Sequence, residues 1–252
     1  MPKGLFIILG AGFRTGNQGS TIIGRPESYA GQKEACMTHI GLFKHLKREH
    51  DSDIDVILNT YSTQYDNDIQ GWYDNYLISS QFHKHMIGYH ELYRNSVDLA
   101  KPILDKYDYV HFLRADLFLK PHFYGLVTLD DHKFKYSSIC FTLHNYHKTS
   151  NNLPRVADMM LYIPKVFFSV LLLPDIALLS HYGVDALHAH GVCVDNVSFY
   201  LHTYHDSDSY KDWNPIYYVV NREQNKTWHS EGYMYNPLTG EPEKSDINYE
   251  HD

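Results

Sequence analysis

An arginine and an acid stand two residues apart at the point where a buried strand is expected to end. The apolar run Tyr109–Leu113 is typical of a strand inside a sheet, and it leads into Arg114 and Asp116 before the chain leaves through Lys120 and Pro121. In an α/β protein, ligands bind at the carboxyl ends of the sheet strands. A carboxylate at this point, with an arginine beside it, favours a site for a metal-bound diphosphate. The alternative is that Asp116 caps the next helix or forms a surface ion pair with Arg114.

A glycine-rich loop follows the first apolar run of the chain. Gly10, Gly12 and Arg14 belong to the stretch GAGFRTG, which superficially matches the dinucleotide-binding fingerprint. The third glycine comes one residue too late for that fingerprint, and Asn59 stands where an acid would bind a ribose. A dinucleotide-dependent oxidoreductase is therefore the less favoured interpretation. The loop, with Arg14 and Arg25 further along, is suited to cradle a nucleotide or is simply a mobile connection.

Hydroxyl groups and an aromatic ring follow the second apolar strand, Asp55–Asn59. Thr60 and Tyr61 open this segment, and side chains of these types hold a base by hydrogen bonding and stacking. Thr60 and Ser62 are equally suited to satisfy backbone groups of the loop. The sequence leaves both interpretations open.

Two histidines provide a second candidate for a metal site. His188 and His190, with Asp195 close behind, would share one side of a strand or an extended loop. Imidazole binds manganese, although carboxylate is the preferred ligand. The chain has 18 histidines, so a single one is more often structural than a ligand. A metal hydrolase built from these three residues is a remote alternative.

The elements that must position these residues alternate in type along the first half of the chain. Strands are expected at Gly4–Gly10, Asp55–Asn59 and Tyr109–Leu113, and helices at Gln32–Glu49 and Gly88–Leu104. The buried face of the first helix is expected to consist of Ala35, His39, Leu42, Phe43 and Leu46. This alternation is typical of an α/β fold with a mostly parallel sheet and helices packed on its faces.

The second half of the chain has a different pattern. Ser138–Thr142 and Asp158–Ile163 are apolar runs joined by a polar loop, which predicts an added pair of strands, antiparallel or mixed with the sheet. The remaining expected elements are helices at Lys165–Leu173, at Ile176–His181 and within Val184–Thr203, and a last strand at Ile216–Val220.

Composition restricts the class of protein and of partner. The chain has 252 residues and a net charge of −8, which disfavours nucleic acid as a partner. Three dispersed cysteines predict neither a zinc knuckle nor a disulfide framework, as in a reduced, cytoplasmic protein. No run approaches the ~18 apolar residues of a membrane span, so no integral membrane segment is expected. Residues 1–235 are expected to form one domain, and 236–252 a polar, loosely held tail.

Three of these features together resemble nucleotide-sugar-dependent glycosyltransferases of the GT-A type, as found in bacterial surface-polysaccharide loci and large DNA viruses. They are the Gly/Arg loop, the strand that ends in Thr-Tyr-Ser-Thr, and the segment from Tyr107 to Pro121. The resemblance covers roughly 4–220. It implies a GT-A-like mixed, mostly parallel sheet, a nucleotide-sugar donor, a glycan or other hydroxyl acceptor, and a divalent metal, Mn or Mg.

The same resemblance assigns roles to individual residues. Asp116 matches the last acid of the family's Asp-x-Asp motif, which holds the metal on the diphosphate. Arg114 replaces the first acid and could itself contact phosphate. Asp158 matches a polar residue that faces donor or acceptor, and it is the candidate general base or a ligand of donor sugar hydroxyls. The alternative is a strand-leading Asp158 tied to Arg155. His188 or His190 would supply a further metal ligand. The alternatives are a carbohydrate- or nucleotide-binding protein without catalysis and, less favoured, the oxidoreductase.

Overall fold

The computed structural model describes residues 1–15, 22–129, 132–136, 160–173, 187–189, 191–200, 217–220, 233–235 and 242–244. The strands are β1 (Lys3–Gly10), β2 (Arg14–Thr15), β3 (Ile22–Ile23), β4 (Asp53–Tyr61), β5 (Leu77–His83), β6 (Tyr109–Arg114), β7 (Leu117–Leu119), β8 (Phe134–Tyr136), β9 (Met160–Pro164), β10 (Val197–Phe199), β11 (Tyr217–Val219), β12 (Tyr233–Tyr235) and β13 (Pro242–Lys244). The helices are α1 (Tyr29–His50), α2 (Asp66–Tyr73), α3 (Tyr89–Ala100) and the short α4 (Pro121–Tyr124). Turns of 3-10 helix occupy Pro26–Ser28, Lys101–Lys106, Lys165–Leu172 and Val194–Asn196.

Seven strands form one mixed sheet in the order β10-β8-β9-β6-β1-β4-β5. β1 pairs in parallel with β4 on one side and with β6 on the other, and β9 runs antiparallel to both of its neighbours. The predicted fold class, an α/β fold with a mixed and mostly parallel sheet flanked by helices, is confirmed. From β1 the chain builds outward to β4 and β5, and it then returns to add β6 on the other side of β1. The sheet therefore has a topological switch point between β1 and β6.

The side chains of β1 explain why this strand is central. Phe6 and Ile8 point into a core that includes the buried face of α1, while Leu5, Ile7 and Leu9 point into a second core that includes α3. A parallel strand covered on both faces reads as an uninterrupted apolar run, which is what the sequence shows here. The five residues expected on the buried face of α1 are all fully buried.

The first half of the chain follows the predicted order, with several added elements. Helix α2 and strand β5 lie between the second predicted strand and the second predicted helix and were not expected. In the second half, β9, the 3-10 turn at Lys165–Leu172 and β11 correspond to predicted elements, and the antiparallel pairing of β9 with β6 confirms an added strand. The expected elements at 138–142 and 176–181 lie outside the described residues.

In the described residues, the helix expected within Val184–Thr203 is present as short turns, at 187–189 and at Val194–Asn196. Gly191, at φ +81°, ends a short helical turn, because Val192 N–H donates to Leu187 O and Gly191 N–H donates to His188 O. The chain then continues into β10, which pairs in parallel with β8.

Two further expectations concern the ends and the surface of the chain. Of the predicted tail 236–252, the structure describes 242–244, which pair with 233–235 as β13 and β12. The division into a domain of 1–235 and a tail stays a prediction. Within the described ranges, no helix combines the length and the apolar character needed to cross a membrane.

Candidate functional site

Three of the predicted segments meet at one edge of the sheet. Leu9, near the end of β1, is in register with Asn59 of β4 and with Arg114 of β6, and Gly10 is in register with Thr60. The glycine loop, the segment after β4 and the Arg-x-Asp turn therefore leave neighbouring strand ends. This edge contains the topological switch point, where open α/β sheets bind their ligands.

Thr60 holds the start of the glycine loop. Its hydroxyl donates to Gly10 O at 2.7 Å and accepts from Gly12 N–H at 3.2 Å. Gly10 has φ +107°, in the region that favours glycine, so the chain can turn sharply at the strand end. The threonine side chain is buried, and its hydrogen bonds correspond to the loop-holding role that the sequence left open for it.

Gln32 of α1 joins the glycine loop to the Arg-x-Asp turn. Its Oε1 accepts from Phe13 N–H at 2.9 Å, and its Nε2 donates to Ala115 O at 2.6 Å. Ala115 N–H in turn donates to Leu9 O at 2.8 Å. Sequence reasoning missed this residue. The available signal was an uncharged polar side chain on the buried face of α1. Gln32 lies one helical turn before Cys36 and two turns before His39.

Arg114 and Asp116 form a buried bidentate ion pair. Arg114 Nε–H donates to Asp116 Oδ1 at 2.9 Å and Nη2–H donates to Oδ2 at 2.7 Å. The arginine side chain is 10% exposed and the aspartate 0%. The sequence offered a surface ion pair between these residues as an alternative. The ion pair is present, but its predicted surface position is wrong, because both side chains are buried. Strand β11 pairs with β7 directly after the turn, and Val220 N–H donates to Asp116 O at 2.9 Å.

His39 of α1 is a neutral side chain that contacts the backbone directly after the Arg-x-Asp turn. Its Nε2 lies 2.6 Å from Leu117 O, which can only accept, so Nε2 carries the proton and Nδ1 accepts from Tyr73 O–H at 2.6 Å. Burial lowers the pKa of His39 to about 4, since the charged form would lose its hydration. The face of α1 that carries Gln32 and His39 thus fixes backbone carbonyls on both sides of Asp116.

The remaining residues after β4 are engaged in the fold. Tyr61 is buried, and its hydroxyl donates to Ile87 O at 2.7 Å, so its ring is not presented to solvent for stacking. Asn59 Nδ2 donates to Leu92 O and to Ser96 Oγ, and its Oδ1 lies 2.7 Å from His83 Nε2. An amide in this position agrees with the sequence argument against a ribose-binding acid.

Within the described residues, the helix that a dinucleotide fingerprint requires is not found directly after the glycine loop. After Gly10, the described chain forms the antiparallel strands β2 and β3 and a 3-10 turn before α1 begins at Tyr29. Arg14 lies half-buried on β2, and the exposed Arg25 pairs with Glu27 at 3.5 Å. Arg14 follows the carboxyl end of β1 by four residues, and Gly24, next to Arg25, donates its N–H to Phe13 O at 3.0 Å.

The predicted metal ligands are not brought together in the described part of the chain. His188 is exposed, whereas His190 and the candidate base Asp158 lie outside the described residues. Both carboxylate oxygens of Asp116 accept from Arg114, and no group of three or more His, Cys, Asp or Glu side chains within the described ranges is suited to hold a metal ion. Asp116 in this arrangement does not fit a divalent ion, because its carboxylate is completely enclosed and its charge is already balanced by the guanidinium.

One cavity lies away from this edge. It has a volume of about 560 Å³ and lies at the amino ends of β1 and β4, beside the last turns of α1. Its rim carries the ion pairs Lys47–Asp53, at 2.9 Å, and Lys3–Asp55, at 2.8 Å. None of the predicted site residues lines it, so it is separate from the candidate site.

No protein-family model matches this chain, and no curated protein matches its sequence. Solved structures with a similar fold include the Drosophila β1,4-galactosyltransferase 7 in a mutant complex with manganese, UDP-Gal and xylobiose, with a TM-score of 0.45 and 9% identity over 87% of this chain and 71% of that one. A glycosyltransferase involved in glycosylation of the major capsid of PBCV-1 has a TM-score of 0.42 and 8% identity over 87% and 93%. The 4-diphosphocytidyl-2C-methyl-D-erythritol synthase of Anaerococcus prevotii has a TM-score of 0.43 and 10% identity over 79% and 87%. Two of the three are glycosyltransferases by name, and likeness at this level assigns no activity to this chain.

Proposed function

We propose that this protein is a glycosyltransferase that transfers a sugar from a nucleotide-diphosphate sugar to a hydroxyl group of a glycan or other acceptor. One observation carries the proposal. The switch point between β1 and β6 bears a glycine loop with Arg14 on one side and the Arg114–Asp116 turn on the other. This is where an open α/β sheet binds a nucleotide, and the two segments supply a close-approach backbone and fixed positive charge.

The site is arranged before any ligand arrives. Gln32 and Thr60 fix the glycine loop by three buried hydrogen bonds to its backbone. Gln32 and Leu9 fix Ala115 in the turn. A polar site that does not reorganise during the reaction is what electrostatic stabilisation of a transition state requires.

The chemical step places negative charge on the departing nucleoside diphosphate. The guanidinium groups of Arg14 and Arg114 would lie near that charge, and Asp116 holds the second of them in a fixed plane. Asp158 is proposed as the base that takes the proton of the acceptor hydroxyl, or as a ligand of the donor sugar's hydroxyls. These roles rest on the family resemblance and on the position of each residue in the sequence.

The proposal is tested by incubating the protein with a panel of nucleotide sugars, in buffer with Mg²⁺ and Mn²⁺, and by measuring release of nucleoside diphosphate. We expect release from one donor class. Arg14→Gln should lower kcat/KM for that donor by about 10- to 100-fold, since a hydrogen bond between charged groups contributes ~1.5–3 kcal/mol. Arg48→Gln is the control, because Arg48 is exposed and pairs with Glu49 at the carboxyl end of α1, and it should leave the rate within about twofold.

A panel without any donor turnover, or equal effects of the two arginine variants, would contradict the proposal. NAD is included in the panel, because binding of NAD alone would favour the oxidoreductase. A binding protein without catalysis is the second candidate, and the complete burial of the Asp116 carboxylate favours it. It predicts that nucleoside diphosphate binds while every donor stays intact.

A further inference from the structure

We infer that Arg114, and not a divalent cation, supplies the positive charge that the turn after β6 presents to the donor's diphosphate. The inference rests on the proposed function and deepens it, since it names what holds the phosphates. It starts from a disagreement between the sequence resemblance, which implies a metal on Asp116, and the observed partners of that carboxylate.

The ion pair presents its cation, not its anion, to a solute. Asp116 is completely enclosed, while the Arg114 side chain keeps 10% of its surface exposed. A diphosphate that approaches the strand ends therefore meets the guanidinium first. Arginine is also the side chain whose planar donors best match phosphate oxygens.

A metal on Asp116 would have to undo this arrangement. Both oxygens accept from Arg114, at 2.9 and 2.7 Å, and the carboxylate is completely enclosed, so a hydrated cation reaches their remaining lone pairs only if the turn opens. A divalent cation bound there would lie beside the nearly enclosed guanidinium, where like charges repel strongly. Within the described ranges, no group of three or more His, Cys, Asp or Glu side chains is arranged to bind a metal ion.

The surrounding backbone holds the pair in place. Ala115, between the two residues, is hydrogen-bonded through N–H to Leu9 O and through C=O to Gln32 Nε2. The backbone oxygen of Asp116 accepts from Val220 N–H. With the turn fixed from three sides, Asp116 acts as a positioning residue that orients the guanidinium.

The decisive experiment compares nucleotide binding by the wild-type chain with and without metal. Titration calorimetry with UDP and with GDP is carried out in excess EDTA and, separately, in Mn²⁺. We expect one of the two nucleotides to bind, with dissociation constants that differ by less than about fivefold between the conditions. Binding that is fivefold or more weaker in EDTA would overturn the inference and leave the proposed glycosyltransferase standing. Absence of binding in both conditions would overturn both.

Two lysine variants identify the cation that is responsible. Arg114→Lys keeps the charge but loses the two-pronged pairing, and it should weaken nucleotide binding in EDTA by about tenfold or more. Arg48→Lys is the control, because Arg48 is an exposed arginine paired with Glu49. It lies at the carboxyl end of α1, whereas Gln32 lies near the amino end. An Arg114→Lys protein that binds the nucleotide as tightly as the control would overturn the inference. The wild-type comparison stands on its own if the variant does not fold.

Discussion

Replacement of Gln32 tests whether one buried amide holds the candidate site together. In Gln32→Leu, the volume is nearly kept, but Phe13 N–H and Ala115 C=O lose their partners, which lie at 2.9 and 2.6 Å. A buried polar group without a partner costs about 1–3 kcal/mol, so two of them cost about 2–6 kcal/mol. For a chain of this length, that corresponds to a fall in Tm of about 4–24 °C.

Gln32→Glu provides a pH signature that a general packing defect would lack. One carboxylate oxygen still accepts from Phe13 N–H, but the other faces Ala115 O, so the ionised form is disfavoured. The folded state therefore raises the pKa of the new carboxyl group above its unfolded value of about 4.3. Because the folded-state pKa is raised, the ionised carboxylate lowers the free energy of unfolding above pH 4.3. This loss disappears as the group is protonated. The difference in Tm from wild type should shrink between pH 7 and pH 5.

Thermal unfolding followed by circular dichroism measures both variants. Gln70→Leu is the matched control, since Gln70 donates one hydrogen bond, at 2.6 Å, to Ser80 at a half-buried position of α2. It should cost no more than about 1 kcal/mol. If Gln32→Leu costs no more than this control, or if the Gln32→Glu difference does not change with pH, the role given to Gln32 is wrong.

Two further predictions concern residues near the same turn. Because burial lowers the pKa of His39 to about 4, below its ordinary 6.5, the neutral form stabilises the fold and this contribution is lost as pH falls from 6.5 towards 4. Between pH 7 and pH 5, the free energy of unfolding in urea should therefore fall by about 2 kcal/mol more for the wild type than for His39→Gln. Equal falls would show that His39 is not held neutral in the folded state. Thr60→Val should cost about 2–6 kcal/mol, because it leaves Gly10 O and Gly12 N–H without partners, whereas Thr60→Ser should cost at most about 1 kcal/mol. Similar Tm values for the valine and serine variants would show that the hydroxyl does not hold the loop.

The order of elements around the site could be predicted because central parallel strands leave a clear pattern. Leu5–Leu9 is apolar without interruption, since both faces of β1 are covered. β5 lies at the edge of the sheet, where its side chains are mostly half-buried and include two serines and a glutamine. That mixture resembles a polar connection, which explains why the strand was missed.

The contacts within the site depend on residues that are distant in sequence. Gln32 bonds to residues 19 and 83 positions away, which no local pattern reveals. The pairing of Arg114 with Asp116 could be expected, because side chains two residues apart on an extended chain share one side. Its burial could not, because segments distant in sequence meet at the turn: β11, which pairs with β7, follows about a hundred residues later in the chain.

The burial of that ion pair separates a functional from a structural explanation. A buried ion pair is weak support for stability, because desolvation of two charges offsets much of their attraction. Replacing both partners with apolar residues of similar size is often neutral or stabilising by ~1–4 kcal/mol, whereas loss of one partner costs ~3–5 kcal/mol. Stability alone therefore gives no reason for an ion pair at this turn.

The double variant Arg114→Met with Asp116→Leu tests this difference. We expect its free energy of unfolding in urea to match or exceed that of the wild type, while Asp116→Leu alone should lose about 3–5 kcal/mol, since it leaves the guanidinium enclosed without its anion. The double variant should bind neither UDP nor GDP, although it folds. A double variant as unstable as the single one would show that the pair is structural. One that is stable and still binds the nucleotide would remove Arg114 from the site, because the fold would then supply the phosphate contact without it.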